Sequence, residues 1–150
     1  MKHKRLFIPV MLGTAFSVVS TLSEANSKLI HVTGRIVQES FIGDRTKPQL
    51  GDRIISNADL FDDSDIKVGT GVGVCTIFSV PPLDTLEECL LTVVFAEGQI
   101  ILGGVAPLPT VGASAEFGIL GGTGDFSKAR GEGIFVVTEP GVVDATLTIR

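Results

Sequence analysis

Residues 66–96 read IKVGTGVGVCTIFSVPPLDTLEECLLTVVFA, and this stretch decides the fold class. Two runs rich in β-branched and apolar residues, 66–80 and 87–96, flank the turn formers of residues 81–84. Proline presets φ and aspartate can bond its own backbone, so each favours a turn for a physical reason. Such a pair of runs around a short turn is typical of a β-hairpin. The stretch therefore predicts two long antiparallel strands.

The two cysteines of the chain lie on the two arms of this hairpin. A register that pairs Val80 with Asp84 also places Cys75 opposite Cys89. Opposed Cβ atoms in an antiparallel pair are ~4.5 to 5.5 Å apart, which a disulfide can close with modest adjustment. In an oxidising compartment a disulfide is the default for such a pair. We therefore predict a bridge across the two strands, with two reduced buried thiols as the alternative.

Three glycines alternate along the first arm of the hairpin. Gly69, Gly71 and Gly73 project to the same face as Cys75, because successive residues of a strand point to opposite sides. Glycines in a strand often mark a tightly coiled sheet, which is the structural interpretation. The functional interpretation is the floor of a pocket, since a glycine leaves room beside the sheet. Both interpretations stay open, and both can hold.

Short β-rich runs continue on either side of the hairpin, and no segment from residue 26 onward has a sustained helical period. The last run is apolar at odd positions from Val143 to Ile149 and polar between them, which predicts a strand buried on one side. Runs 90–95 and 100–105 are apolar on both faces and need cover outside. A neighbouring subunit would supply that cover, so we expect an oligomer. The eight predicted strands are 28–38, 52–61, 66–80, 87–96, 98–106, 113–120, 130–138 and 142–150.

The N-terminus has the pattern of an export signal. A cationic stub at residues 1–5 precedes an apolar run from Leu6 to about Leu22 and the small-residue pattern 23–25. A membrane anchor is the alternative, but polar residues dilute the run and a spanning helix needs ~20 predominantly apolar residues. We predict that residues 1–25 are a signal peptide. Residues 26–150 then form one domain in a secreted or periplasmic protein, with no membrane attachment after cleavage.

Composition narrows the classes of partner. Loss of residues 1–25 removes three cations and one anion, which moves the formal charge from −5 to −7. Such an acidic chain is a poor nucleic-acid binder, because that affinity comes mostly from cations that neutralise phosphates. The chain has no Trp and no Tyr. Its apolar residues are those that suit strands.

From Leu50 onward the order of short motifs resembles the allene oxide cyclase and dirigent superfamily. The most specific pairing is the glycine-rich turn followed by Ala-Arg-Gly, which is similar to the dirigent version. The matching motifs are Leu50-Gly51-Asp52, Leu60-Phe61, Val68-Gly69, Gly73-Val74-Cys75, Gly98-Gln99-Ile100, Gly121-Gly122-Thr123-Gly124-Asp125-Phe126 and Ala129-Arg130-Gly131. With a signal peptide and paired cysteines, the pattern most resembles exported microbial members of this superfamily.

The resemblance implies an all-β, eight-stranded antiparallel up-and-down barrel with an apolar cavity, often as a trimer. It also implies functional positions. Cys75 stands where plant cyclases have a functional cavity cysteine, although a bridged sulfur is no acid, base or nucleophile. The asparagine expected in the second strand falls on Ala58, with Asn57 one place away. Glu39 is the candidate for the glutamate expected on the first strand, although it follows late. Asn57, Glu39 and Cys75 are thus the weak catalytic candidates.

Other constellations favour structural interpretations. Residues 121–124 lack the Lys-Ser/Thr of a phosphate loop, so we predict a tight turn there. We also predict that Arg130 pairs with Asp125 and holds this turn in place. The acidic residues of 59–65 lack calcium-loop spacing and predict a solvated hairpin tip. His31 has no partner set for a hydrolytic triad, and we expect neither a metal site nor a cofactor.

Three functions remain open. The first is a cyclase-type isomerase that confines a small apolar substrate, with groups such as Asn57, Cys75 or Glu39 facing inward. The second is a dirigent-like auxiliary that orients substrates whose reaction is driven elsewhere. The third is a non-catalytic ligand carrier or structural barrel. If large inward side chains fill the lumen, the first two lose their site.

Overall fold

The computed structural model describes residues 27–150, and this part of the chain is almost entirely β-strand. A single turn of 3-10 helix, Gly124–Phe126, precedes β7. The predicted signal peptide, residues 1–25, lies outside the described residues. Within them, no helix is long and apolar enough to cross a bilayer. The strands are β1 (Lys28–Ile42), β2 (Arg53–Phe61), β3 (Lys67–Ser79), β4 (Leu86–Phe95), β5 (Gly98–Pro107), β6 (Ser114–Gly122), β7 (Gly131–Glu139) and β8 (Val142–Ile149).

The eight strands close into one antiparallel barrel in chain order. Each strand pairs with the next, and β8 returns to β1 in a ladder that runs from the Lys28–Ile149 pair to the Arg35–Val142 pair. β1 is long enough to pair with β8 through its first half and with β2 through its second half. The sheet therefore has no open edge, and the predicted up-and-down barrel is confirmed.

A bulge in β1 changes which residues face the interior. The ladder with β2 pairs Ile36 with Ala58 and then Gln38 with Asn57, so Val37 has no partner. An extra residue in one strand shifts the alternation of everything beyond it. Even-numbered positions face inward before the bulge, and odd-numbered positions, including Glu39, face inward after it.

The hairpin of β3 and β4 has the predicted register over most of its length. Cys75 stands opposite Cys89, and two residues further on Ile77 stands opposite Glu87. The register then shifts, and the ladder ends at the pair of Ser79 with Leu86. The assumed pairing of Val80 with Asp84 is therefore wrong, because the irregularity lies between the turn and the cysteines.

Backbone hydrogen bonds join the glycine-rich turn to the neighbouring strands. Thr123 N donates to the carbonyl of Gln99 at 2.9 Å, and Asp125 N donates to that of Glu97 at 3.0 Å, so the segment packs directly on the β4–β5 turn. At Gly98, with a φ of +145°, an added Cβ would lie 2.1 Å from the Thr123 carbonyl oxygen. Only glycine permits that approach.

Arg130 behaves differently from the prediction. Its guanidinium donates to the carbonyl of Ala129 at 2.7 Å. Within the described chain it makes no ion pair with Asp125. The backbone of Arg130 pairs instead with that of Arg150, which continues the contact of β7 with the C-terminus. The predicted pairing is therefore wrong.

Candidate functional site

One half of the barrel interior is filled by large side chains. Ile100, Leu102 and Leu147 have no solvent exposure. At the end of the barrel that carries the β4–β5 turn, the rings of Phe95 and Phe126 lie 5.8 Å apart between centroids. The two rings also line a space of about 480 Å³ at this end, whose wall carries the charged residues Lys28, Asp62 and Lys67. This wall is more polar than that of the two lobes described next.

The other half of the interior has small residues where large ones would close it. Gly71 and Gly73 face Ala58 and Ser56 of the neighbouring strand across the β2–β3 ladder. This inner lobe has a volume of about 130 Å³. The functional interpretation of the glycine row is thus supported, because Gly71 and Gly73 line this space as part of the curved wall. The lobe is lined by Gly34, Ile36, Ser56, Ala58, Leu60, Gly71, Val72, Gly73, Leu91, Thr92, Val93, Phe135, Val143 and Ala145.

A second lobe continues from the first, away from the β4–β5 turn. This outer lobe has a volume of about 150 Å³, and its wall carries two carboxyl groups, those of Glu39 and Glu87. The disulfide between Cys75 and Cys89 lies in the same wall. The two lobes share the lining residues Ile36, Ser56, Leu91, Phe135 and Val143.

Glu87 is the one buried charged or polar residue of the described chain. It is 3% exposed, and its Oε2 has no hydrogen-bond partner. Burial, followed by the negative charge of Glu39, raises the pKa of Glu87 to about 7. Its Oε1 lies 3.7 Å from Sγ of Cys89, and a disulfide sulfur has no proton to donate. Near neutral pH, Glu87 can therefore give or take a proton inside the lumen.

Sequence reasoning did not single out Glu87, although a signal for it existed. The register that places Cys75 opposite Cys89 also places Glu87 opposite Ile77. Side chains alternate along a strand, so the residue two places before Cys89 has to share its inward face. The pair Glu87-Glu88 instead resembles the polar end of a turn.

Glu39 lies at the mouth of the lumen, where the bulge of β1 turns it inward. Its Oε1 accepts from the guanidinium of Arg45, which belongs to the loop between β1 and β2. The same guanidinium lies over the ring of Phe41, at 5.4 Å from the centroid. Glu39 is thus already paired with a cation, whereas Glu87, deeper in, is not.

The predicted bridge between Cys75 and Cys89 is present, with a Cα–Cα distance of 4.0 Å. Cys75 faces the lumen, as the resemblance implied, but its sulfur is bonded and does not titrate. Through this bond, Cys75 links β3 covalently to β4 next to Glu87. With its sulfur bridged, Cys75 can be neither the acid nor the nucleophile of this lumen.

Asn57 faces away from the lumen, and its expected inward orientation is wrong. Ser56 and Ala58 line the lumen, so the residue between them points outward. Its Nδ2 donates to Oε1 of Gln38 on the outer surface of β1, at 3.2 Å. Asn57 therefore cannot contact a molecule in the lumen.

The remaining polar candidates lie on the surface. His31 Nδ1 is 2.6 Å from a carboxylate oxygen of Asp63 in the β2–β3 turn, and both side chains are exposed. Backbone amides of Ser64 and Ile66 donate to Asp62 Oδ1, at 2.9 Å each. The acidic turn is therefore held by its own backbone, as a solvated hairpin tip should be.

The fold and the lumen define a class: a closed barrel with a small apolar cavity and one buried carboxyl. The chain belongs to the family described as the allene oxide cyclase barrel-like domain, whose model matches residues 30–147. The resemblance drawn from the sequence is thus confirmed. No curated protein matches the chain by sequence.

Solved structures share this barrel. A pyocyanin demethylase has a TM-score of 0.71 and 25% identity, over 82% of this chain and 100% of that one. The exo-specific intermolecular Diels-Alderase AbnU has a TM-score of 0.70 and 18% identity, over 82% and 97%. The Diels-Alderase AbmU from Streptomyces koyangensis has a TM-score of 0.69 and 19% identity, over 81% of this chain and 63% of that one. The similarity to AbnU and AbmU, at 18% and 19% identity, shows a shared fold only.

Proposed function

We propose that this protein is an exported barrel that acts as a cyclase-type isomerase, confining one small apolar molecule in its lumen. The observation that carries the proposal is the asymmetry of the interior. Fully buried side chains such as Ile100, Leu102 and Leu147 fill one part of it, while another part has two apolar lobes and a buried carboxyl, Glu87. A barrel that served only as a structural element would have no physical reason to keep such space or to bury an unpaired acid.

Confinement supplies most of the catalysis in this proposal. The lobes hold a flexible substrate in one near-attack shape, which can replace several kcal/mol of orientational cost. Glu87 adds the one proton-transfer group, and a carboxyl with a pKa of about 7 is matched to work near neutral pH. Two of the neighbouring barrels are named Diels-Alderases, which close rings, although the intermolecular reaction in the name of AbnU joins two molecules rather than isomerising one.

Cys75, Glu39 and Asn57 take lesser roles in the proposal. Cys75 holds the wall that carries Glu87, through its bridge to Cys89. Glu39 and its partner Arg45 line the entrance and decide what passes it. Asn57, on the outer face, takes no part. Glu87 is therefore the residue on which a proton-transfer step depends.

The decisive experiment begins with native mass spectrometry of protein purified from its own host's culture medium. It reports the cleaved N-terminus after residue 25, the loss of two hydrogens at the disulfide, the subunit number and any retained guest. The guest, or the precursor it points to, is then incubated with the purified protein alone. New product without any oxidant supports the isomerase. Product whose stereochemistry changes only when an oxidant is added supports the dirigent-like auxiliary, and an unchanged guest supports a carrier.

A matched pair of variants ties the activity to the lumen. Gly71→Leu fills the inner lobe, and an added Cβ there meets only side-chain atoms at ordinary contact distances of 3.6 and 3.9 Å. Thr70→Leu adds the same side chain to the outer face of the same strand. We expect Gly71→Leu to abolish guest binding and Thr70→Leu to preserve it. Equal activity in both variants would mean that the lumen is not the site.

Self-association is part of the proposal, and an exposed apolar surface supports it. Apolar side chains of β3 to β6 point outward with exposed fractions between 38% and 60%, and we call this surface the apolar outer face. It consists of Val72, Val74, Leu90, Val105 and Leu120. Exposed apolar patches of contiguous residues mark interaction sites, and the family resemblance favours a trimer. Light scattering of the wild type and Leu90→Lys tests this, since the variant should shift toward monomer; a monomeric wild type contradicts it.

A further inference from the structure

The lumen combines negative charge with an unused hydrogen-bond acceptor. Oε2 of Glu87 is buried and has no partner. The groups that face Glu87 from the neighbouring strands are apolar or cannot titrate: Ile77 and the bridged Cys75 from β3, and Ala106 from β5. A buried acceptor of this kind costs folding free energy unless something donates to it. The structure therefore holds a place for a donor that the described chain does not fill.

The cations near the mouth are already engaged. Glu39 is the second carboxyl in the lining of the outer lobe, and Arg45 donates to it from the β1–β2 loop. Among the described residues that line the two lobes, none is Lys, Arg or His. The field inside the lumen is therefore set by carboxyl groups. A positively charged guest gains from that field, and an anionic guest is opposed by it.

We propose that the lumen selects a guest with an apolar body and one protonated amine, and that Glu87 is the specificity-determining residue that accepts hydrogen bonds from this ammonium group. The inference rests on the proposed function, and it adds the chemical class of the guest. The ring or chain of the guest occupies the inner lobe, and the amine stops beside Glu87 in the outer lobe. An ammonium–carboxylate contact is a charge-assisted hydrogen bond, roughly twice as strong as a neutral one.

The size of the lobes limits the apolar body to about one ring. The inner and outer lobes measure about 130 and 150 Å³, and an apolar cavity of about 150 Å³ is known to hold benzene. Probes built on a single benzene ring therefore fit. Benzylamine, benzyl alcohol, toluene and benzoate share that ring and differ in the polar group, so a comparison of their affinities isolates the contribution of the amine.

Isothermal calorimetry of the full chain at pH 8 tests the proposal. We expect benzylamine to bind at least about tenfold more tightly than toluene or benzyl alcohol, because a hydrogen bond to a charged group is stronger than a neutral one, and benzoate to bind least. Glu87→Gln should remove the preference for benzylamine and leave toluene binding unchanged. Glu88→Gln, on the outer face of the same strand, should change neither. At pH 5, where Glu87 is protonated, the wild type should lose the preference.

If benzyl alcohol or benzoate binds as tightly as benzylamine, or if the preference survives in Glu87→Gln, the amine assignment is overturned while the lumen remains a binding site. If toluene does not bind to the wild type or to Glu87→Gln, and no other probe binds, the lumen does not admit guests and the proposed function fails with it. Urea unfolding of both Glu variants verifies that each is folded before binding is measured.

Discussion

Replacing the buried carboxyl by its neutral isostere should stabilise the protein at high pH and leave it unchanged at low pH. The pKa of Glu87 is about 7 in the folded state, against 4.5 for an unperturbed glutamate. A raised pKa means that the folded state binds this proton more tightly than the unfolded state does. The stabilising effect of the proton is fully present below pH 4.5 and is lost as the pH rises through 7. At about 1.4 kcal/mol for each pKa unit, the loss is about 3 kcal/mol at pH 7 and about 3.5 kcal/mol at higher pH.

The assay is urea unfolding of wild type and Glu87→Gln from pH 4.5 to 8.5, with the disulfide intact. Glutamine cannot ionise, so the variant has no such loss. The difference in unfolding free energy between the two proteins should be small at pH 4.5 and should grow to about 3.5 kcal/mol in favour of the variant above pH 7. Glu88→Gln changes the same charge on the outer face and should give a nearly flat difference. A Glu87→Gln difference that is equally flat would refute the buried, proton-binding state of Glu87.

Three further predictions concern the scaffold. Reduction of the disulfide, which closes a loop with a sequence separation of 14, should lower the unfolding free energy by about 3 kcal/mol in urea titrations with and without reductant. Leu147→Ala, at a position with no exposure, should cost ~2 to 5 kcal/mol, while Leu29→Ala, at a position that is 67% exposed and outside the apolar outer face, should cost far less in the same urea titration; equal losses would contradict the assigned core. Gly131→Ala should lower the melting temperature, measured by calorimetry, more than Gly112→Ala does. Both glycines have a positive φ, but only at Gly131 would the new Cβ lie 2.0 Å from a carbonyl oxygen. The reverse order of melting temperatures would contradict this reasoning.

The sequence predicts the wall of the barrel better than its interior. Strand positions follow from alternating apolar residues and turn formers, which are local signals. The bridge between Cys75 and Cys89 follows from the hairpin register even though the pairing assumed at its turn was wrong, because the register irregularity lies beyond Ile77. Closure of β8 onto β1 is a contact between the last and first strands of the described residues, and no local pattern encodes it. It came from the family resemblance alone.

For the polar candidates, sequence reasoning gave mixed results: Glu39 and Cys75 face inward as expected, Asn57 does not, and Glu87 was missed. Glu39 faces inward only because Val37 is an extra residue in β1, and nothing in the local sequence marks that bulge. Asn57 faces outward because its neighbours Ser56 and Ala58 face inward, so a shift of one residue along β2 separates it from the lumen. Glu87 could have been found by counting two residues back from Cys89. Whether a side chain faces the lumen of a barrel thus depends on whether its position in the strand is odd or even, and one bulge reverses that rule for the rest of the strand.

The position of Glu87 argues that this wall was selected for something other than stability. An apolar residue opposite Ile77 would remove the unpaired buried oxygen and the loss of stability at high pH. Beside the carboxyl, the same two strands carry the disulfide, whose contribution of about 3 kcal/mol is similar in size to the loss that Glu87 causes. Sequences depart from the most stable choice mainly at functional positions and are stabilised elsewhere. The disulfide and Glu87 are therefore best understood together. The disulfide makes this part of the wall rigid where the carboxyl of Glu87 is held inside an apolar space.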